Sequence, residues 1–122
     1  MTGLMVTRIG LVVVILTLAR VLPHIPRTFL IENRDGARWF SPAGLDEVAR
    51  FATGIGPTKA LIDGHRDFVT AAHAAGLTVT PYTFTSRGPA TRFEDVRDEM
   101  RYYLFDLGVD AVFTDNPDRF PR

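Results

Sequence analysis

The sequence predicts an α/β fold with parallel strands. Short runs of β-branched and aromatic residues alternate with amphipathic stretches of helical spacing. This alternation is typical of consecutive βα units, because each crossover helix returns the chain to the same end of a parallel sheet. At 122 residues, with 46% hydrophobic and 23% charged residues, the chain has the composition of one ordinary globular domain.

The composition excludes several classes of protein and of site. Lysine plus arginine and aspartate plus glutamate each number 14, so the net charge is zero. No overall basic field is present, and nucleic acid is therefore not predicted as a partner. The absence of cysteine excludes disulfides, thiolate metal sites and a cysteine nucleophile. Any chemistry must use carboxylates, histidines or hydroxyls.

The N-terminal segment, residues 1–22, contains an uncharged apolar stretch at residues 9–19. A membrane-spanning helix needs about twenty apolar residues, so this stretch is too short to span a bilayer comfortably. It suits a buried helix, the apolar region of a secretory signal or membrane anchor, or a non-native start. Membrane contact through residues 9–19 therefore stays open, and so does a cytoplasmic, secreted or membrane-associated location. Prolines end this segment, and residues 23–122 carry the βα pattern.

The first two βα units are marked by an apolar run and a capped helix. Residues 28–32 are predicted as a strand that ends in a turn-like Asn-Arg-Asp-Gly. Ser41 is predicted to be an N-cap with Pro42 at the first helical position, and Trp39 to staple the start of this helix. A short extended piece follows at residues 54–57.

The remaining units follow the same pattern. Residues 64–75 are predicted as a helix, and residues 77–85 as the clearest strand of the chain. Thr91 and Glu94 are predicted to form a capping box at the start of the last helix, and residues 109–114 to form a last strand. The last helix has a wide apolar stripe at Phe93, Val96, Met100, Tyr103, Leu104 and Leu107. With four strands at most, the first and last would be open edges that favour pairing with another chain.

Three segments in this order resemble the C-terminal part of glycerophosphodiester phosphodiesterases: GIGPTKALI at 54–62, FVTAAHAAGLTVTPYTFT at 68–85 and LFDLGVDAVFTDNPD at 104–118. Residues 18–32 are similar to the helix and strand that precede them in that family. The resemblance implies a partial (β/α)8 TIM barrel of about the last four βα units, with residues 23–122 as its C-terminal half. It also implies hydrolysis of glycerophosphodiesters to glycerol 3-phosphate and an alcohol, in lipid and glycerol metabolism, with calcium or magnesium.

The catalytic part of that family is not recognised in this sequence. Its two catalytic histidines, in His-Arg and His-Asp motifs, and its metal-binding acids belong to early strands. The pair His65-Arg66 opens a helix instead, and the acids at strand ends, Glu32, Asp63 and Asp115, fall one in each unit. Phosphodiester hydrolysis needs a proton donor and charge stabilisation, and a divalent cation needs several oxygens brought together. We therefore expect no catalytic or metal-ligating residue and no bound metal in this chain alone.

The resulting interpretation is a truncated or split family member that is inactive by itself. The alternative is a non-catalytic half-barrel that pairs with itself or with a separately encoded N-terminal half. The sequence does not identify the alcohol of the substrate or the metal.

Four residues are predicted to bind substrate: Lys59, Tyr82, Phe84 and Asp115. The resemblance implies that Tyr82 and Phe84 lie on a strand whose aromatic residue lines the pocket, and the alternative is that they fill the core. Asp115 matches a Thr-Asp-x-Pro motif at the end of the last strand, and the alternative is a turn-forming role. Lys59 follows Gly-Pro near a helix N-terminus, where an ammonium can meet a phosphate, and the alternative is solvent exposure.

Other candidates carry weaker expectations. Glu32 stands where the family more often has an amide, so no metal or glycerol contact is assigned to it. His24 lies between prolines in a predicted loop, and His73 lies among alanines on a helix, where a surface or packing role is expected.

Overall fold

A parallel β-sheet organises the part of the chain described by the computed structural model, residues 17–122. Its three strands, in spatial order, are β1 (Thr28–Ile31), β2 (Gly54–Pro57) and β3 (Thr78–Val79). The register pairs Phe29 with Ile55 and Ile55 with Val79. Sequential strands are therefore parallel neighbours, which confirms the predicted α/β class.

The crossover segments are helical. They comprise α1 (Gly36–Trp39), α2 (Pro42–Ala49), α3 (Lys59–Ile62), α4 (Arg66–Ala74) and α5 (Val96–Arg101), which continues as a π-helical turn at Tyr102–Asp106. Short 3-10 turns occur at Asn33–Asp35 and Pro117–Arg119. Residues 17–21 are also helical, whereas most of the apolar stretch 9–19 lies outside the described residues. Within residues 17–122, no helix combines the length and apolar character that crossing a membrane requires.

Residues 109–115, called here the fourth segment, run alongside the chain that follows β3. The Phe113 amide donates to the Pro81 carbonyl at 3.0 Å. Further along, Phe84 and Thr114 form a parallel bridge. The fourth segment thus occupies the position of a fourth parallel strand without a continuous ladder.

The two strands predicted at residues 77–85 and 109–114 are therefore shorter than expected. Of the first, only Thr78–Val79 is a strand, and isolated bridges mark the rest. Pro81 explains the break. Its carbonyl accepts a hydrogen bond from the fourth segment, but proline has no backbone N–H that could donate the next hydrogen bond of a ladder. Residues 17–122 thus form three continuous strands and one interrupted neighbour.

The core lies between one face of the sheet and the helices. Phe29 and Ile31 of β1, Ile55 of β2 and Val79 of β3 are buried in it. The helices contribute Leu45 and Val48 from α2, Val69 and Ala72 from α4, and Met100 and Tyr103 from α5. On the other face, Leu30 is 48% exposed, so within residues 17–122 this side of β1 is uncovered.

The start of α2 follows the prediction. The Ser41 hydroxyl accepts a hydrogen bond from the Gly44 amide at 3.0 Å, and Pro42 occupies the first helical position. Trp39 is 9% exposed and packs edge to face against Phe29, with ring centroids 5.1 Å apart. It therefore serves packing under α2.

The predicted capping box at the start of α5 is wrong. The helix begins at Val96, and the Asp95 carboxylate accepts from the Asp98 amide at 3.0 Å. The Thr91 hydroxyl instead accepts from the nearby Phe93 amide within the preceding loop. An aspartate caps better than a threonine because its negative charge also favours the helix N-terminus.

Candidate functional site

The four predicted substrate-binding residues converge at the carboxyl end of the sheet. Thr58, at the end of β2, bridges to Tyr82, and the Lys59 amide donates to the Tyr82 carbonyl at 3.0 Å. The Asp115 amide donates to the Phe84 carbonyl at 2.9 Å. All four residues, called here the candidate site, thus lie on neighbouring units, where the loops of parallel α/β proteins carry function.

Lys59 is paired with a buried acid. Its Nζ lies 3.1 Å from both carboxylate oxygens of Glu99, on α5, and 5.0 Å from the centre of the Phe84 ring. The two side chains are 25% and 8% exposed respectively. The Lys59 side chain is therefore not fully exposed to solvent and is paired with a protein carboxylate, while its contact with a substrate phosphate stays a prediction.

Phe84 lies in the core behind Lys59. Its side chain is fully buried, and its ring meets Tyr103 edge to face with centroids 5.1 Å apart. The Tyr103 hydroxyl donates to the Lys59 carbonyl at 3.2 Å. Burial, reinforced by the nearby Asp63 and Glu99 charges, raises the pKa of Tyr103, so its phenol remains a hydrogen-bond donor. These contacts place Phe84 in the core position that was the alternative to a pocket role.

Tyr82 and Asp115 line an open cavity of about 360 Å³, called here the front cavity. Its lining residues are Leu30, Tyr82, Thr83, Phe113, Thr114 and Asp115. Burial raises the pKa of the Tyr82 phenol, with smaller contributions from the Glu32 and Asp35 charges. The front cavity therefore offers a protonated phenol and an exposed carboxylate beside apolar walls.

The turn after the fourth segment is held by the neighbours of Asp115. The Thr114 hydroxyl accepts from the Asn116 amide at 2.9 Å, and the Asn116 side-chain oxygen accepts from the Ser86 amide at 2.8 Å. The turn-forming role considered for Asp115 is thus performed by Thr114 and Asn116.

A second set of contacts fastens the turn after α3. Arg92 donates two hydrogen bonds of 2.7 Å to the Asp63 carboxylate, and its guanidinium lies 4.9 Å from the centre of the Tyr102 ring. The Arg92 hydrogen bond lowers the pKa of Asp63 against a smaller opposing effect of burial. The Tyr102 hydroxyl accepts from the Gly64 amide at 3.1 Å. Asp63 is therefore engaged in a structural ion pair.

The histidines lie away from the candidate site. His65 stacks on Phe68 with centroids 4.4 Å apart, and His24 is exposed. His73 Nε2 lies 2.8 Å from Asp110, whose carboxylate also accepts from the Val79 amide. That pair joins α4 to the start of the fourth segment, which agrees with the expected surface or packing role.

The described residues do not fit a divalent metal. Within residues 17–122, no three histidine, aspartate or glutamate side chains converge. Glu32 is 3.1 Å from Arg34, Asp63 is paired with Arg92, and Asp115 lines the front cavity. A hard cation needs several oxygens around one point, and residues 17–122 bring no such set together.

Sequence reasoning missed two contributors to this region, Glu99 and Arg92. A signal for Glu99 was present, since it lies three residues after Val96 and four before Tyr103 on the apolar stripe of α5. A glutamate on a buried stripe requires a cationic partner. No comparable signal marks Arg92, which lies in an irregular loop.

The chain is similar in sequence to known proteins of one family. Residues 12–119 match the glycerophosphoryl diester phosphodiesterase family. Glycerophosphodiester phosphodiesterase GDPD6 of Arabidopsis thaliana is 34% identical over 110 residues, which cover 74% of this chain and 30% of that protein. The glycerophosphodiester phosphodiesterase of Bacillus subtilis (strain 168) is 32% identical over 101 residues, which cover 82% of this chain and 29% of that protein. The chain thus spans less than a third of each relative, and it belongs to the glycerophosphoryl diester phosphodiesterase family.

Proposed function

We propose that this chain forms the C-terminal, substrate-binding part of a glycerophosphodiester phosphodiesterase barrel and that it does not hydrolyse substrate alone. The reaction of the completed barrel is hydrolysis of a glycerophosphodiester to glycerol 3-phosphate and an alcohol, in lipid and glycerol metabolism. The observation that carries this proposal is the position of Tyr82 and Asp115 together in the front cavity, at the carboxyl end of a parallel sheet. The family match over residues 12–119 supports the assignment of the reaction.

Tyr82 and Asp115 act on substrate through hydrogen bonds. The Tyr82 phenol, whose pKa is raised by burial, donates to an oxygen of the diester. The exposed Asp115 carboxylate accepts from a substrate hydroxyl. Lys59 and Phe84 form the layer behind them, since Glu99 and Tyr103 hold both side chains in place.

The general acid, the general base and the ligands of calcium or magnesium come from the complementary part of the barrel. Charge stabilisation and protonation of the leaving alkoxide are required for diester hydrolysis. Among residues 17–122, no histidine lies beside the front cavity and no metal-ligating cluster forms. A complementary polypeptide is therefore the functional partner in this proposal.

A complementation assay tests the proposal. The purified chain is supplied with calcium or magnesium and glycerophosphocholine. Release of glycerol 3-phosphate is measured for the chain alone and for the chain mixed with the part of the Bacillus subtilis relative that lies outside the match. We expect no release alone and chelator-sensitive release from the mixture. Chelator-sensitive release by the chain alone would contradict the proposed inactivity, and an inactive, fully assembled mixture would contradict the proposed role.

Two variants of the mixture test the residues. Tyr82→Phe and Asp115→Asn should each lower the rate about tenfold, the effect of one hydrogen bond of roughly 1.4 kcal/mol. Asp118→Asn is the matched control, because Asp118 is exposed in the following 3-10 turn and does not line the front cavity. Equal rates for all three variants would remove Tyr82 and Asp115 from the site.

A further inference from the structure

The backbone of Tyr82 is held on both sides by the segment that joins β2 to α3. The Tyr82 amide donates to the Pro57 carbonyl at 3.1 Å, and the Tyr82 carbonyl accepts from the Lys59 amide at 3.0 Å. Thr58, between these two residues, forms the parallel bridge with Tyr82. Residues 57–59 therefore satisfy both backbone hydrogen-bonding groups of Tyr82, and a displacement of this segment displaces the Tyr82 phenol in the front cavity.

Lys59 is fastened in turn by the hydroxyl of Tyr103, in the π-helical turn after α5. That hydroxyl donates to the Lys59 carbonyl at 3.2 Å, and the same carbonyl accepts from the Asp63 amide at 3.0 Å at the end of α3. Tyr103 is 2% exposed, so the hydrogen bond is shielded from water. Because the carbonyl and the amide belong to one residue, this hydrogen bond also restrains the Lys59 amide that holds Tyr82.

The ring of Tyr103 contacts the other part of the candidate site. It meets Phe84 edge to face with centroids 5.1 Å apart, and the Phe84 carbonyl accepts from the Asp115 amide at 2.9 Å. Such aromatic pairs stabilise a core beyond the area that they bury. One buried side chain thus reaches Tyr82 through its hydroxyl and Asp115 through its ring, by two separate sets of contacts.

We propose that Tyr103 is a positioning residue of the candidate site, whose hydroxyl sets the position of Tyr82 through Lys59. The inference rests on the proposed function, in which the Tyr82 phenol donates to the diester. Tyr103 does not line the front cavity, so it acts on substrate only through the residues that it holds. Its ring alone would fill the same space in the core, and the hydroxyl therefore has a task separate from packing.

Titration of the Tyr82 phenol in the chain alone tests this restraint. The chain has three tyrosines, so nuclear magnetic resonance of isotope-labelled tyrosine follows each phenol separately. Burial raises the pKa of Tyr82, with smaller contributions from the Glu32 and Asp35 charges. Tyr103→Phe keeps the ring and removes the hydroxyl. We expect the pKa of Tyr82 to fall toward its ordinary value of 10.0 in this variant, because a less restrained phenol is better solvated.

Tyr102→Phe is the matched control. It removes the neighbouring phenol, whose hydroxyl accepts from the Gly64 amide rather than contacting Lys59. The control should leave the pKa of Tyr82 unchanged although it also removes one hydrogen bond. Circular dichroism verifies that both variants fold, which we expect because the Lys59 carbonyl keeps the Asp63 amide as a donor in Tyr103→Phe. An equal fall of the Tyr82 pKa in both variants, or a fall in neither, would overturn the inference.

A kinetic cycle in the mixture that tests the proposed function examines the same restraint during the reaction. Tyr103→Phe should lower the rate about fivefold, the effect of one hydrogen bond. It should cause no further loss when Tyr82→Phe is already present, because the phenol that it positions is then gone. Added to Asp115→Asn, it should still lower the rate about fivefold. A loss of the same size in every background would indicate a smaller folded fraction and would contradict positioning.

The two measurements separate this inference from the proposed function. A fall of the Tyr82 pKa in Tyr103→Phe alone, with no activity in any mixture, would support the restraint by Tyr103 and contradict the proposed function. Active mixtures in which Tyr103→Phe leaves both the rate and the Tyr82 pKa unchanged would leave the proposed function standing and overturn the positioning role.

Discussion

Replacement of Glu99 by glutamine should destabilise the fold far more than the same change at an exposed ion pair. Glu99 is 8% exposed and accepts two hydrogen bonds of 3.1 Å from the Lys59 ammonium, which is 25% exposed. Breaking a fully buried pair costs about 3–5 kcal/mol, and hydrogen bonds to charged groups contribute about 1.5–3 kcal/mol. Since Lys59 retains partial access to water and glutamine still accepts one hydrogen bond, we expect a loss of about 2 kcal/mol.

Urea unfolding followed by Trp39 fluorescence measures this loss, because Trp39 is the single tryptophan and is 9% exposed. All variants are compared at one protein concentration, so that any association affects them equally. The matched control is Glu47→Gln, which removes the exposed Arg38–Glu47 contact of 3.4 Å and should cost about 0.5 kcal/mol or less.

A double variant separates the contribution of the two charges to stability from that of the volume that the two side chains fill. Lys59→Met combined with Glu99→Leu removes both charges and should recover most of the stability lost in Glu99→Gln, because no buried charge is left without a partner. If Glu99→Gln costs no more than Glu47→Gln, the pair does not stabilise this end of the sheet. A structural role for the Lys59–Glu99 pair would then be refuted.

Three further changes probe other contacts. Asp63→Asn should lower the urea midpoint slightly at pH 7, and the difference from the unchanged chain should vanish on acidification. Arg92 lowers the pKa of Asp63 below 3.8 in the folded chain. The stabilisation is therefore present above pH 3.8 and is lost as the pH falls through the lowered pKa. A difference that persists at the lowest pH would contradict this origin. Asp110→Ala should cost about 1–3 kcal/mol in urea unfolding, since the Val79 amide loses its acceptor; a loss under a few tenths would show that water replaces it. Ser41→Ala should cost about 1 kcal/mol, and Ser41→Asp should restore thermal stability because aspartate also caps helices.

Much of the fold was predictable because it depends on local patterns. The Ser41 cap and its following proline set the start of α2. Gly76 and Gly108, which follow the predicted helices, adopt positive φ values of 83° and 82°, a conformation that favours glycine. The strand boundaries were less predictable, because the residue pattern of 77–85 is β-prone throughout while Pro81 interrupts its pairing with a distant segment.

Less of the candidate site was predictable, because its contacts join residues far apart in the chain. The family resemblance and the position of Lys59 after Gly-Pro led to the prediction that Lys59, Tyr82, Phe84 and Asp115 lie at strand ends. The bridges place these residues at one end of the sheet. The contact partners of each side chain could not be predicted from its own segment, because they come from other segments of the chain. Lys59 meets a carboxylate forty residues later, and this contact gives it a structural role that its position near a helix N-terminus did not indicate.

α5 and its π-helical turn therefore determine the shape of the candidate site. Glu99 contacts the Lys59 side chain, Tyr103 donates to the Lys59 carbonyl, and Tyr102 accepts from the Gly64 amide. Three side chains of one helical segment thus fasten α3 and the turn that follows it. The π-helical turn begins at Tyr102, and such turns often occur at functional sites because they change the direction of side chains within a helix. The two consecutive tyrosines of this turn contact the start of α3 and the turn after α3. A substitution on α5 should consequently change the positions of side chains at the carboxyl end of the sheet, although the substituted residue does not contact a molecule bound there.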